Sequence, residues 1–570
     1  MAIWGTMEGL SRRRALHWIA GGVSGLAAAA ALRWGGAQAL SAATPAPIPM
    51  PRPPSGSASR VSGTPVMSAP PSPRKPSSPP APTVPPPAPT IPPPTPTVPP
   101  PTTFSVKRYG AKGDGRSNDT AAIQAAIDAV PVSGGTVIFP PGVYIVAPTR
   151  TTCIAIKSNL RLSGAGATSI LKIKDGTGDW YRLLSPQDLG ATVDNVTIEN
   201  LSFDSNIVNN PSSTITEKVD ATYQTFIFIT AGRNINIRRC RFAPCSGVWA
   251  IALNGPTIRQ CSVTDCYFRF VMRAGNPDYD NAMVYIEGST YTLSGNQFET
   301  IILPGRGGRA CMEAHGGPAE VFNNMSIGFQ TGLNITGSYF VGGISRAITC
   351  HDNTFTDALL AILLWPTAPN GLQNVTVTNN TIALAQRTHG NVEMCGIEAL
   401  FSLEATHLAS TLTITNNTIR FQDEGAGRSG DFYYNSAGIG LHNLGGIAGC
   451  VIDGNTIELA PSSGIMIGNA EPGQRTFQTV RITNNTIVNP GQNIGFPADF
   501  RAGVLVNSSA SNIEIGGNTI KDTFSTPRCP AAISFDSSSG NIYTAIHVHD
   551  NRITSANGSL PVIIPGIPPS

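Results

Sequence analysis

Charge is scarce in this chain. Asp, Glu, Lys and Arg make up 13% of its 570 residues, and aromatic residues 7%. The formal charge of +3 arises from the N-terminal stretch. Residues 1–103 hold eight basic residues and one acidic residue, which leaves 30 basic against 34 acidic in the remainder, a net charge of −4. A mildly acidic body lacks the basic surface that nucleic acid requires, so nucleic acid is excluded as the main partner. No apolar run after residue 40 is long enough to span a bilayer, which excludes a membrane-embedded body. Helix signals are sparse. No compact group of Asp and Glu demands calcium, so calcium stays open and the expected cofactor is none.

What the chain does have is a repeat. NVTVTNNTI ends at Ile382, TLTITNNTI at Ile419, TVRITNNTI at Ile487 and NIEIGGNTI at Ile520. Weaker copies run upstream to NINIRRCRF, which ends at Phe242. Apolar alternation of period two marks a strand with one buried face. Asn tolerates left-handed backbone, so it suits a sharp turn into the next strand. The turn positions are Cys240, Cys266, Asn296, Asn324, Asn353, Asn380, Asn417, Asn455, Asn485, Asn518 and Asn551, in steps of 26 to 38 residues. Such a period predicts stacked coils of a solenoid. With β-rich coils the expected fold is all-β, a parallel β-helix, weakly favouring a monomer. Cys240, Cys245, Cys261 and Cys266 have a spacing that could be read as a metal site. Cys240 and Cys266 sit at the turn position of successive coils, however, so stacking explains them and no metal is expected. The recurrent Asn-x-Thr is likewise read as a turn requirement rather than a glycosylation signal.

Three segments precede or form the body. Residues 1–39 contain SRRRALH, an apolar stretch from Trp18 to Leu32 and Ala37-Gln38-Ala39, which resembles a twin-arginine export signal. The expected location is secreted, periplasmic or cell-surface, with the signal cleaved rather than kept as an anchor. Residues 40–103 are a Pro-rich linker containing TVPPPAP, TIPPPTP and TVPPPTT. Proline fixes φ, so this stretch is expected to be an extended spacer. Residues 104–570 are the solenoid. They open with FSVKRYGAKGDGRSNDTAAIQAAIDA, in which Asn118 or Asp119 can cap a helix from Thr120 to Ala129 over the first coil.

That opening, followed by GGTVIFPPGVYIV and the ladder, closely resembles the pectate lyase superfamily of right-handed parallel β-helices. More narrowly it is similar to the rhamnogalacturonase/epimerase-like branch. The resemblance covers about residues 104–570 and implies secretion and a polysaccharide substrate. It chooses no reaction, because the fold hosts hydrolases, lyases, epimerases and binders. Polygalacturonase motifs (Asn-Thr-Asp, Asp-Asp) are missing, and so is the Asp-Pro-His of mannuronan epimerases. No catalytic residue is therefore carried over.

Candidate residues follow from the strand preceding each turn region. Placing apolar residues inward gives an outward column of Trp249, Tyr285, Glu313, Asn334, Ala361, Glu398, Gly440, Met466 and Leu505. A second column is Ile251, Glu287, His315, Thr336, Leu363, Leu400, His442, Gly468 and Asn507. Neighbouring coils stand about 4.8 Å apart, so Tyr285, Glu287, Glu313, His315, Asn334 and Thr336 should form one patch. Two carboxylates, a His and a Tyr are the parts of acid–base chemistry at a glycosidic bond, and the four are the expected catalytic residues. Arg273, Asp278 and Asp280, with Arg306 and Arg309, lie in flanking loops and are expected to bind substrate beside Asn334 and Thr336. An arginine can clamp a sugar carboxylate with two hydrogen bonds. The bland reading is a solvated polar strand face; concentration on three successive coils argues against it. Glu398 with Glu404 and His407 is a weaker cluster. The leading expectation is an exported glycosidase or polysaccharide lyase. The rival is a non-catalytic glycan-binding or adhesive surface protein, and a phage tailspike is disfavoured by the export signal.

Overall fold

The structure, a computed structural model, describes residues 102–564, except 178–179, 211–223, 272–280, 301–309, 339, 341–343, 366–370, 385–393, 402–408, 423–435, 444–446, 469–475, 537–539, 557 and 559. The signal-like segment and almost all of the Pro-rich segment lie outside the described residues.

Each coil contributes strands that pair, in parallel, with the same strands of the coils before and after it. The described strands collect into one sheet of 28 strands and one of 15. The chain therefore winds as a parallel β-helix. Alternate residues of every strand point into the tube and stack as columns. Phe203, Phe242, Phe268 and Phe298 form one such column, with ring centroids 4.7, 4.9 and 4.7 Å apart and planes within 9° of parallel. Further along, Ile382, Ile419, Ile457, Ile487 and Ile520 pair in register at the equivalent place. Identical side chains at a strand repeat fill the interior without gaps, which is why close packing favours the repeat.

The turn residues form a second column. Asn296, Asn324, Asn353, Asn380, Asn417, Asn455, Asn485 and Asn518 each donate Nδ2 to Oδ1 of the next ladder residue at 2.9–3.0 Å, ending on Asn551. The same Oδ1 atoms accept the preceding turn's backbone N–H, as Asn417 does from Asn380 N at 3.0 Å. Cys266 N enters the ladder by donating to Asn296 Oδ1. One expectation is corrected. The left-handed residue is not the ladder Asn but the one before it: Asn323, Asp352, Asn379, Asn416 and Asn484 have φ of 54–56°, with glycine at 295, 454 and 517. The ladder Asn is buried because its amide replaces the hydrogen bonds that the turn cannot make to itself. The Asn of Asn-x-Thr at Asn379, Asn416 and Asn484 is this exposed left-handed residue, so the turn accounts for the motif there. No disulfide joins the ten cysteines among the described residues, and Cys240 and Cys266 are buried at the head of the ladder.

Near the N-terminal end, a helix α1 (Thr120–Asp128) buries Ile123, Ala126 and Ile127. Neither expected cap works in the usual way. Asp119 turns its carboxylate to the amides of Lys112 and Gly113 at 2.7 and 2.9 Å, while Asn118 Oδ1 accepts from Thr120 N and Oγ1. No helix among the described residues is long and apolar enough to cross a membrane.

Candidate active site

The candidate residues stand on strands that precede the ladder turns: β1 (Trp249–Thr264), β2 (Ala282–Ser294), β3 (Ala310–Gly316), β4 (Thr331–Thr336), β5 (Leu360–Trp365), β6 (Cys395–Phe401), β7 (Ile439–Asn443), β8 (Ile465–Ile467) and β9 (Ala502–Val506). In β2, Val284 and Ile286 enter the core, which turns Tyr285 and Glu287 out. Pairing then sets Tyr285 beside Glu313, Glu313 beside Asn334, and Glu287 beside His315. Immediately afterwards the chain bends. Gly316 takes a φ of +82°, and a Cβ there would lie 2.0 Å from Gly288 O, so only glycine allows the bend.

The register corrects the expected columns at two coils. Ile251 pairs with Val284 and lies in the core, so Ala252 and Asn254 hold the outward places in β1. Ala361 is also a core residue, and Leu363 and Trp365 pair with Asn334 and Thr336. In both coils apolar residues, Ala252 in one and Leu363 and Trp365 in the other, point outward, so alternation alone could not separate the faces.

Tyr285, Glu287, Glu313, His315, Asn334 and Thr336 come together as expected, but at different depths. Glu287 is fully buried. Its carboxylate accepts hydrogen bonds from Ser338 Oγ and Phe340 N, both at 2.9 Å, and from the Tyr285 hydroxyl at 3.3 Å. Such donors offset the cost of burying a charge. Glu313 keeps 14% of its side chain exposed. Its Oε1 lies 3.4 Å from both His315 Nε2 and Asn334 Nδ2. His315 Nδ1 is 2.9 Å from Gly337 O. A carbonyl only accepts, so Nδ1 carries the proton and Nε2 faces Glu313. Burial pulls the His315 pKa down, but the Glu313 hydrogen bond and the charges of Glu287 and Glu313 outweigh it, so the net shift is upward. Asn334 Oδ1 and Thr336 Oγ1 are buried and find no hydrogen-bond partner among the described residues.

Aromatic rings lead into this patch. Tyr181 packs on Phe228 at 5.6 Å, Phe228 stacks on Trp249 at 6.2 Å, Trp249 meets Tyr285 at 5.3 Å, and Tyr285 lies 4.8 Å from the His315 ring. Arg273, Asp278, Asp280, Arg306 and Arg309 lie outside the described residues, as do Glu404, His407 and Tyr339. His351 stacks on Phe322 at 5.0 Å.

Glu398 pairs with something the sequence reading missed. His442 Nδ1 lies 2.8 Å from Glu398 Oε1, and Cys395 sits beside them. His442 is 44 residues from Glu398. No spacing motif links them, and only the coil register could have shown the contact.

Stacked parallel strands, an Asn ladder and a polar patch on one outer face define a parallel β-helix. A family model for rhamnogalacturonase A/epimerase, pectate lyase-like, matches residues 103–386. The chain is a pectate-lyase-like parallel β-helix protein. Among curated proteins, mannuronan C5-epimerase AlgE6 of Azotobacter vinelandii is 34% identical over 151 residues, 25% of this chain and 17% of the relative. Alginate lyase 7 of the same organism is 34% identical over 139 residues, 24% of this chain and 16% of the relative. The chain thus matches under a fifth of the length of these two relatives. Among solved structures, a tailspike protein mutant of E. coli bacteriophage HK620, in complex with a pentasaccharide, aligns with a TM-score of 0.54 and 13% identity, covering 78% of this chain and 79% of that one. At that identity the likeness concerns the fold.

Proposed function

We propose that this protein is an exported enzyme that modifies an acidic polysaccharide by removing the proton next to a sugar carboxylate. The outcome is elimination or epimerisation. The carrying observation is the patch in which partly exposed Glu313 and His315, on one coil, meet Tyr285 of the coil before, in a chain with mannuronan epimerases and an alginate lyase among its relatives. In this reading Glu313 and His315 share the proton traffic, and Tyr285 serves as the partner acid or base. Fully buried Glu287 positions Tyr285 rather than touching the sugar. The orphaned Asn334 Oδ1 takes a sugar hydroxyl, because an unmet buried acceptor costs about 1–3 kcal/mol until a donor arrives. The arginines of the flanking loops hold the carboxylate and its developing charge. The tube winds right-handed, α1 covers its first coil, and the Pro-rich segment spaces the body from the surface.

The test incubates the full chain with mannuronan, polygalacturonate and neutral glycans in deuterated water. Deuterium at the carbon bearing the carboxylate, or ultraviolet absorbance of unsaturated uronates, is expected. New reducing ends with neither signal would refute proton removal and identify a hydrolase. Glycan binding with no change in the polymer would favour the adhesive reading, for which the aromatic strip from Tyr181 to Tyr285 speaks.

A further inference from the structure

Two coils beyond Asn334 the same outer face carries a second polar island. Cys395 and Glu398 stand on β6 and His442 on β7. Their thiol, carboxylate and imidazole atoms all lie within 4.8 Å of one another, and all three side chains are buried. The surroundings are apolar: Ala437, Met466, Ala502 and Leu505 pack with Cys395, and Leu360 borders them.

The position of His442 depends on one glycine. His442 pairs with Leu400, not with Glu398; the residue opposite Glu398 is Gly440. The imidazole reaches Glu398 by lying over Gly440, where a Cβ would stand 2.6 Å from ring Cε1 and Nε2. Any larger residue at 440 would push the ring away from Glu398 and Cys395.

A dry pocket tolerates little net charge. A thiol, a carboxylate and an imidazole can be neutral together as imidazolium with one ionised acid, or as thiolate, carboxylate and neutral imidazole around a divalent cation. We propose that Cys395, Glu398 and His442 bind a divalent transition metal, with zinc the expected ion. Thiolate, imidazole and carboxylate are the donor types zinc takes, whereas calcium takes six to eight oxygens. Zinc bonds of about 2.0–2.3 Å fit donors clustered this closely. Binding expels the thiol proton and the proton shared between His442 and Glu398. Full burial gives the ion a structural role. The two coils it would tie carry the longest steps of the ladder, 37 residues from Asn380 to Asn417 and 38 from Asn417 to Asn455. Those coils carry the largest insertions, so they have the most use for a link between strands.

The test uses the untagged full chain, stripped with a chelator and titrated with zinc and with cobalt. Elemental analysis is expected to give one zinc per chain, and cobalt a sulfur-to-metal charge-transfer band. Zinc removal is expected to lower Tm. Cys395→Ser should abolish the cobalt band. Gly440→Ala keeps all three ligands yet should weaken zinc binding about 10-fold, as for changes that reorient a ligand. Folded wild-type chain that takes up no zinc at micromolar free metal, or a cobalt spectrum without the sulfur band, overturns the proposal. Both readings come from the wild-type protein, so a variant that fails to fold does not blur the result.

Discussion

Inside the tube, one position looks the same on coil after coil; outside it, no two neighbouring coils match. The ladder column reads Asn at every step from Asn296 to Asn551, and the neighbouring core column reads Ile at every step from Ile382 to Ile520. The outer column that passes through Tyr285 reads Ala252, Tyr285, Glu313, Asn334, Leu363, Glu398, Gly440, Met466 and Leu505. Stacking at a fixed spacing imposes the same packing and hydrogen-bond problem on each coil, so one residue solves it repeatedly. Nothing imposes sameness on the outer face. Polar, buried and mutually bonded residues concentrated there on a few coils need another cause, and chemistry supplies one.

The comparison is broken most severely by touching the outer face. Glu313→Gln should lower turnover by about 10²–10⁴-fold while the chain stays folded, since the side chain is partly exposed and its loss leaves the core intact. Steady-state rates with circular dichroism melts decide it; an active variant removes Glu313 from the mechanism. The inner column should behave in the opposite way. Asn417→Leu strands the Asn380 N and Nδ2 donors, which both point to Asn417 Oδ1, and withdraws the amide from Val377 O. At about 1–3 kcal/mol for each unmet buried group, a loss exceeding about 3 kcal/mol is expected in denaturant melts, with activity per folded molecule retained.

A pH effect sharpens the contrast further. The His315 pKa is raised in the folded protein, so the stability it lends is complete below its unfolded value of 6.5 and is lost as pH rises through the higher folded value. Stability followed by calorimetry should therefore decline above 6.5 in the wild type, and this decline should shrink in Glu313→Gln, which removes a partner of the imidazolium. The smallest effect separates two adjacent residues of the same type. Asn379 is exposed with φ of 56°, while Asn380 is a buried ladder rung. Asn379→Gly should change stability by no more than about 1 kcal/mol, as glycine enters that region freely. Asn380→Gly should cost several times more. Equal losses at the two positions would remove the distinction between turn-former and rung.

The ladder was legible because each rung repeats its own context. Alternation then fixed the strand faces wherever polar and apolar residues differ, which is why Tyr285, Glu287, Glu313, His315, Asn334 and Thr336 were found together. It slipped by three residues in the coil of Trp249 and Ile251, where Ala252 and Asn254 hold the outward places, and by two at Ala361, where Leu363 and Trp365 point outward and give no contrast. The depth of Glu287 was also hidden. Its burial comes from Ser338 and Phe340, which belong to the chain after β4 rather than to the repeat. Cys395 was passed over because a thiol among apolar residues reads as packing, and its partners sit on separate stretches of chain.

The ladder has a direction. Each rung from Asn296 to Asn518 gives its backbone N–H and one Nδ2 proton to Oδ1 of the next rung in sequence, and its own Oδ1 accepts from the rung before. During synthesis, a coil that has left the ribosome therefore holds donors that only the following coil can satisfy. Each finished turn offers the next a template already set at the right spacing, so assembly can proceed like a zip, from the first coil onward. A chain stopped early would lack acceptors at just one rung, the last one made.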